Sequence, residues 1–313
     1  MSDASPRSSG IHHITAIASD PQANIDFYTR TLGLRCVKKT VNFDDPGSYH
    51  FYFGDAVGSP GTIITFFPWP GARRGRVGAG QVTASAYAVP RGSINAFWAA
   101  RLASLGVTVF GRSTRFGEAV IEFEDHDGTR LELIESDAPS PSPWAGSDVP
   151  AEHALRAFHS ATLTVRTLKP TEHVLVERLG LKLVGAEGNR RRYAGDAPHG
   201  QIIDVIADEN AERGKSGAGV VHHIAFRAAT DADQLAWLGQ VEADGLHASP
   251  VMERFYFRSI YFREPGGVLF EIATDAPGFA ADESPETLGE SLKLPPMYEQ
   301  HRAKIEAALP KLS

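Results

Sequence analysis

His12-His13-Ile14-Thr15-Ala16-Ile17-Ala18-Ser19 is a short β-like run, and related runs return along the chain as VTASAYAV from Val82, FHSATLTV from Phe158 and HHIAFRAA from His222. About twenty residues beyond each start lies a glycine closing an amphipathic stretch, in Leu32-Gly33-Leu34, Leu105-Gly106-Val107, Leu179-Gly180-Leu181 and Asp244-Gly245-Leu246. Apolar spacing such as Ile25, Phe27, Tyr28 and Leu32 predicts one-sided helices packed on a sheet, each ended by a glycine in a positive-φ conformation. Further β-like runs follow, separated by glycine turns, as in Asp125-His126-Asp127-Gly128 and Arg263-Glu264-Pro265-Gly266-Gly267. The repeating order is strand, helix, three strands. A repeat of this kind decides the fold before any single residue does.

Four βαβββ modules in an α+β chain of 313 residues predict two domains of two modules each. The Pro/Ser-rich break Ala138-Pro139-Ser140-Pro141-Ser142-Pro143 suggests where they divide. The expected layout is residues 1–137 for modules one and two, 138–157 as linker, 158–275 for modules three and four, and 276–313 as an extension ending in a helix near Tyr298 to Leu309.

Composition narrows the function. Thirty-one Lys plus Arg against 38 Asp plus Glu give a net charge of −7, which argues against a nucleic-acid partner. The start Met1 to Gly10 lacks an apolar signal-peptide core, and no stretch reaches the roughly 20 apolar residues of a membrane span, so a cytoplasmic protein with no membrane partner is expected. Cys36 is the one cysteine. It excludes an intramolecular disulfide and a multi-cysteine metal site, and it reads as a small packed residue. Any metal must therefore use histidine and carboxylate.

The modules serve as a ruler for such ligands. A position near the start of the first strand, paired with the position four residues after the turn glycine, gives His13 and Thr65, Thr83 and Glu132, His159 and Asp204, and His223 and Glu271. His223 and Glu271 with one further histidine would make two imidazoles and a carboxylate facing a cavity, the facial set that leaves coordination positions open on non-haem iron. Both His13 and His159 satisfy the ruler; the repeated doublets His12-His13 and His222-His223 favour His13. Strand alternation places His12 and His222 on the opposite face, with a supporting or packing role. Thr15 shares the face of His13 and can hydrogen-bond near a metal. The hairpin turn at Pro265-Gly266 places Tyr261 opposite Glu271, so its phenol can reach the cavity. Arg254, an odd number of residues from Tyr261, would face away on an unbroken strand, and Arg258 competes with it for the role of neutralising an anionic group.

The stretches GIHHITAIASD, NIDFYTRTLGLRCVKKTVNFDD, YHFYFGDAVGSPGTIITFFPWP, TRFGEAVIEFEDHDG, GVVHHIAF and YFREPGGVLFEIATDAPGF resemble the vicinal oxygen chelate superfamily of glyoxalases and extradiol dioxygenases. Within it they resemble the hydroquinone-type ring-cleaving dioxygenases, from Ile11 to about Leu294. The resemblance implies an Fe(II) enzyme, with Mn(II) or another divalent metal as a substitute, that opens a 1,4-dihydroxybenzene ring with O2. It implies His13, His223 and Glu271 as metal ligands, with Thr15, His12, His222, Arg254 and Tyr261 around them. Three other readings compete. A glyoxalase-like isomerase would use Glu132 or Asp204 as base if those acids shared the metal cavity. A catechol extradiol enzyme would take His159 as ligand, and a metal-free binder would enclose an organic molecule. Assembly into a homo-oligomer is left open.

Overall fold

The computed structural model describes residues 10–139 and 141–313; the opening segment 1–9 and Ser140 of the Pro/Ser-rich break lie outside the described residues. Module one contributes β1 (Ile11–Ala18), β2 (Arg35–Asn42), β3 (Asp45–Gly54) and β4 (Ile63–Pro68). Module two contributes β5 (Gln81–Val89), β6 (Val109–Arg115), β7 (Glu118–Glu124) and β8 (Arg130–Glu135). Module three contributes β9 (Phe158–Val165), β10 (Lys182–Glu187), β11 (Arg190–Ala194) and β12 (Ile202–Ala207). Module four contributes β13 (Val221–Ala228), β14 (Met252–Glu253), β15 (Arg258–Arg263) and β16 (Leu269–Thr274). In each module a helical segment follows the first strand, and the glycine after it has positive φ, +76° at Gly33, +69° at Gly106, +72° at Gly180 and +71° at Gly245. An L side chain there would meet its own carbonyl, so glycine ends each helix at least cost.

The sixteen strands form two curled eight-stranded sheets, ordered β14-β15-β16-β13-β1-β4-β3-β2 and β10-β11-β12-β9-β5-β8-β7-β6. This pairs module one with module four and module two with module three, which corrects the division at the Pro/Ser-rich break into 1–137 and 158–275. The physical reason lies in the first strands, each of which leaves one edge free to pair antiparallel with another first strand, β1 with β13 and β5 with β9. The connections between modules one and two and between three and four then run side by side, with bridges Arg74 to Ala218, Arg76 to Lys215 and Ala79 to Arg213. Pairing of matching connections ties the two sheets together. The segment after the break packs as well: Ala56 N–H donates to the Ser142 carbonyl at 2.9 Å, Val149 is buried, and the Trp144 ring lies 4.6 Å from the Arg35 guanidinium carbon. It is a fitted strap rather than a loose tether.

Strand β2 ends the first sheet, and an open edge is a hazard that folds must cover. The C-terminal extension does this. Lys293 N–H donates to the Lys39 carbonyl at 2.9 Å, and the Arg35 guanidinium donates to the carbonyls of Pro285 and Glu286 at 2.7 and 2.8 Å. Lys38 is fully buried and donates to Asp282 Oδ1 and Glu283 Oε2, each at 2.5 Å. The expected terminal helix forms over Arg302–Ala308. Among the described residues no helix is long and apolar enough to cross a membrane.

Removing the lysine would strand the buried Glu283 carboxylate and take one partner from the half-buried Asp282. Lys38→Met is expected to cost roughly 3 kcal/mol of stability, read as a lowered urea midpoint. The combined change Lys38→Met, Asp282→Asn and Glu283→Gln should cost less than the single one; an equal or larger loss would show that the ion pairs do not hold the extension down.

Candidate metal centre

The seam between β1 and β13 carries two irregularities of register. Ile11 faces Phe226 but His13 faces Ala225, and Thr15 faces His223 but Ala16 faces Val221, so His12 and His222 are each an extra residue in their strand. Such bulges re-aim side chains and break strict alternation. Around these bulges His12 Nδ1 lies 2.9 Å from His13 Nδ1, and His222 Nδ1 lies 2.8 Å from His223 Nδ1. The same irregularity recurs between β5 and β9, where Thr83 and His159 are the extra residues. His159 is therefore the counterpart of His222, not of His223. The positions matching His13 and His223 in the second sheet hold Ala84 and Ser160, which pair with Thr162 and Ala86 as His13 and His223 pair with Ala225 and Thr15.

The last-strand positions of the ruler do correspond. Thr65, Glu132, Asp204 and Glu271 each face the equivalent first-strand residue, Thr15, Ala86, Thr162 and Ala225. The glycine four residues before each has positive φ, +89° at Gly61, +92° at Gly128, +61° at Gly200 and +102° at Gly267.

His13 Nε2 and His223 Nε2 lie 3.2 and 2.8 Å from Glu271 Oε2 and 3.4 Å from each other. All three residues are buried, and their donor atoms fall within 4.8 Å of one another. Glu271 Oε1 accepts the hydroxyl of Ser259, while Oε2 makes no hydrogen bond of good geometry although it is buried. A buried carboxylate oxygen without a hydrogen-bond partner, converging with two imidazole nitrogens, suits a shared divalent cation, and two nitrogens with one oxygen fit Fe, Mn or Zn. Burial pushes the Glu271 carboxyl up, but the His13 and His223 imidazoles outweigh it and hold the group well below the usual carboxylate range. Burial and the neighbouring imidazole, His13 or His223, push His12 and His222 down to about 3 each. Both are therefore neutral at pH 7, able to accept a hydrogen bond from that neighbour.

The cluster opens on a cavity of about 230 Å³ lined by His13, Thr15, His50, Tyr52, Tyr261 and Arg254, among others. Tyr261 faces Glu271 across β15 and β16, as its hairpin predicts. Burial and the Glu271 carboxylate push its phenol up, so it stays protonated. Arg254 departs from expectation in a useful way. The chain breaks after β14, with Phe255 at φ +64° and Tyr256 N–H donating to the Arg254 carbonyl at 2.7 Å. This turn brings the Arg254 Nε–H to Tyr261 Oη at 3.3 Å and its other arm to Asp44 at 3.1 Å. Arg258, its rival, pairs with Asp231 and Glu253 at the surface. Three residues escaped the sequence reading: Ser259, His50 and Tyr52. The alternating run Tyr49-His50-Phe51-Tyr52 was the available signal, since it puts two polar side chains on one strand face.

The second sheet's equivalent acids are spent in ion pairs. Arg115 grips Glu132 at 2.7 and 3.0 Å, Arg192 and Arg190 hold Asp204 at 2.9 and 3.1 Å, and His159 Nε2 meets Glu118 at 3.0 Å. Glu132 and Asp204 thus lie outside the metal cavity, against the isomerase reading that needed one of them as base. His159 likewise sits in the other sheet, against the catechol reading. The carboxylate that does line the cavity, Asp44, is tied to Arg254.

Comparison with known proteins agrees with the geometry. Residues 10–133 and 157–272 match the Glyoxalase/Bleomycin resistance protein/Dioxygenase superfamily. The chain is 50% identical over 300 residues to the Bacillus subtilis (strain 168) protein named "Putative ring-cleaving dioxygenase MhqO", covering 96% of this chain and 95% of that one. It is 40% identical to "Chlorohydroquinone/hydroquinone 1,2-dioxygenase" of Sphingobium indicum, covering 94% and 93%. A crystal structure of a "putative dioxygenase from Bacillus subtilis subsp. subtilis str. 168" superposes with a TM-score of 0.95 at 48% identity, covering 99% of both chains. Glyoxalase I from Zea mays, at 15% identity and a TM-score of 0.64 over 85% of this chain and 92% of that one, shares the fold. The chain belongs to this superfamily and, within it, to the ring-cleaving dioxygenase family. Its family is typically metal-dependent.

Metal analysis of Fe(II)-reconstituted protein checks the centre. His13→Ala, His223→Ala and Glu271→Ala are each expected to lower bound metal at least tenfold, and His159→Ala to leave it stoichiometric. Metal loss in the His159 variant alone would move the centre to the second sheet.

Proposed function

We propose that the protein is an Fe(II)-dependent dioxygenase that opens hydroquinone-type 1,4-dihydroxybenzenes with O2, cutting between a hydroxyl-bearing carbon and its neighbour. The observation that carries this reading is the buried His13, His223 and Glu271 set at one cavity, open to an aromatic-sized volume. The activity named for the Sphingobium indicum relative supports the substrate class.

His13, His223 and Glu271 would hold the metal through Nε2, Nε2 and Oε2. When bound, an Fe(II) ion would supply adjacent open positions for substrate and O2 and a path for electrons between them. The chain's own residues do the rest. With Nε2 of each ligand imidazole turned to the metal, its Nδ1–H donates to neutral His12 or His222, which fixes the ring and its tautomer. Ser259 holds Oε1 of Glu271 so that Oε2 faces the imidazoles. Arg254 has only N–H donors, so Tyr261 Oη accepts from it and the phenol proton is free to point elsewhere. Tyr261 is thereby a donor, and a general acid, aimed beside the reacting atoms. Thr15 closes the same wall from module one. Phe67, Trp69 and Phe257 supply flat apolar faces for the ring and keep water away.

Oxygen uptake by the anaerobically Fe(II)-loaded protein tests this with hydroquinone, methylhydroquinone and catechol in parallel, the ring-opened product being followed by ultraviolet absorbance. Uptake with the 1,4-diols, lost in His13→Ala and kept in His159→Ala, is expected. Tyr261→Phe should retain iron and lower turnover about a hundredfold. No uptake with any diol at stoichiometric iron would overturn the proposal.

A further inference from the structure

Modules one and four are related by a pseudo-twofold axis through the β1–β13 seam, and the axis relates more than the histidines. In module four, Ala225 on β13 faces Glu271 on β16, which faces Tyr261 on β15. In module one, Thr15 on β1 faces Thr65 on β4, which faces Tyr52 on β3. Tyr52 is therefore the counterpart of Tyr261, and His50, two residues before it, is the counterpart of Ser259. Both tyrosines line the one cavity. Where module four spends its pair on Glu271, module one has a chain of hydrogen bonds: Tyr52 Oη to His50 Nδ1 at 3.0 Å, His50 Nε2 to Thr65 Oγ1 at 2.8 Å, and Thr65 Oγ1 to Thr15 Oγ1 at 3.0 Å. Thr15, Thr65 and Tyr52 are at most 1% exposed, His50 is half-buried, and Tyr52, His50 and Thr15 line the same cavity.

We propose that Tyr52 receives the second hydroxyl of a 1,4-diol and that Tyr52, His50, Thr65 and Thr15 form a proton relay between that hydroxyl and the metal side of the pocket. The proposal rests on the function proposed above. The distal hydroxyl of a 1,4-diol, para to the one at the metal, needs a partner of its own. Each member of the chain can donate to one neighbour and accept from the other, so the chain has two polarities. In the first, Tyr52 O–H donates to His50 Nδ1, His50 Nε2–H to Thr65 and Thr65 O–H to Thr15, whose own proton points into the cavity. A proton passed from the distal hydroxyl to Tyr52 Oη then moves Tyr52's proton to Nδ1, the Nε2 proton to Thr65 and Thr65's proton to Thr15, and releases Thr15's proton at the metal side. One proton enters, one leaves, and all four groups are neutral before and after. No water or bulk base is required.

Anaerobic calorimetric titration of the Fe(II)-loaded protein with hydroquinone and with phenol, which lacks the second hydroxyl, tests the binding half. Tyr52→Phe is expected to weaken hydroquinone about tenfold and phenol less than twofold; equal changes for the two ligands, or none, overturn the assignment. The relay half is read in His50→Gln, which can bridge by hydrogen bonds but cannot pass a proton through a ring. Its kcat should fall at least tenfold with KM within twofold, and the proton inventory of kcat in H2O/D2O mixtures, bowed in the wild type, should become linear. An unchanged kcat and inventory removes the relay. The titrations need no turnover, so failure of O2 uptake with every diol would overturn the proposed function while the comparison of hydroquinone with phenol still decides the role of Tyr52.

Discussion

The antiparallel pairing of β1 with β13 is the contact on which the rest of the molecule depends. It joins the first module to the last, about two hundred residues apart in the chain, and it makes a twofold-like seam in which each first strand contributes the same positions to both sides. Because His13 faces Ala225 while His223 faces Thr15, the two histidines project from neighbouring strands onto the same spot. Without the seam neither module holds more than a fragment of the centre: module four has one imidazole and the carboxylate, module one the other imidazole and no acid.

Two bulges turn this seam into a site. An extra residue in each strand lets a histidine doublet act as a unit, one ring toward the cluster and the other against its back. The same backbone device exists in the second sheet, but there the chemistry is different. Arg115, Arg190 and Arg192 neutralise Glu132 and Asp204, so buried acids at the same strand positions become structural ion pairs. The two sheets share one framework, and the identity of a few side chains separates a site that can take a cation from one that already contains its own. Breaking such a pair leaves an uncompensated buried charge, which keeps the second sheet committed to its structural state.

The extension adds a further constraint. It covers the open edge of β2, and it also reaches the cavity wall: Tyr298 Oη donates to the Phe43 carbonyl at 2.7 Å, and Tyr256, next to the turn that presents Arg254, donates to Asp282 at 2.9 Å. Lys38 and Asp282 therefore link the edge strand, the extension and the Arg254 turn in one buried cluster. Edge protection and the support of the cavity rim thus share the same residues.

The sequence by itself determined the module, because helix-ending glycines, turn glycines and alternating strands are local consequences of backbone sterics and side-chain period. It also marked Glu271 and the histidine doublets, since fixed spacing from a turn glycine survives in each copy, and it placed Tyr261 opposite Glu271 through a short hairpin. Only the tertiary structure decided which modules share a sheet, because strand pairing across two hundred residues leaves no local trace. It alone showed that His159 belongs with His222, since a one-residue bulge shifts the register without changing the sequence pattern. It alone brought Arg254 round to Tyr261, through a positive-φ turn at Phe255 that a non-glycine residue does not announce. And it placed His50 and Tyr52 on the wall of the cavity, at positions related to Ser259 and Tyr261 by a symmetry axis that exists only in the folded chain.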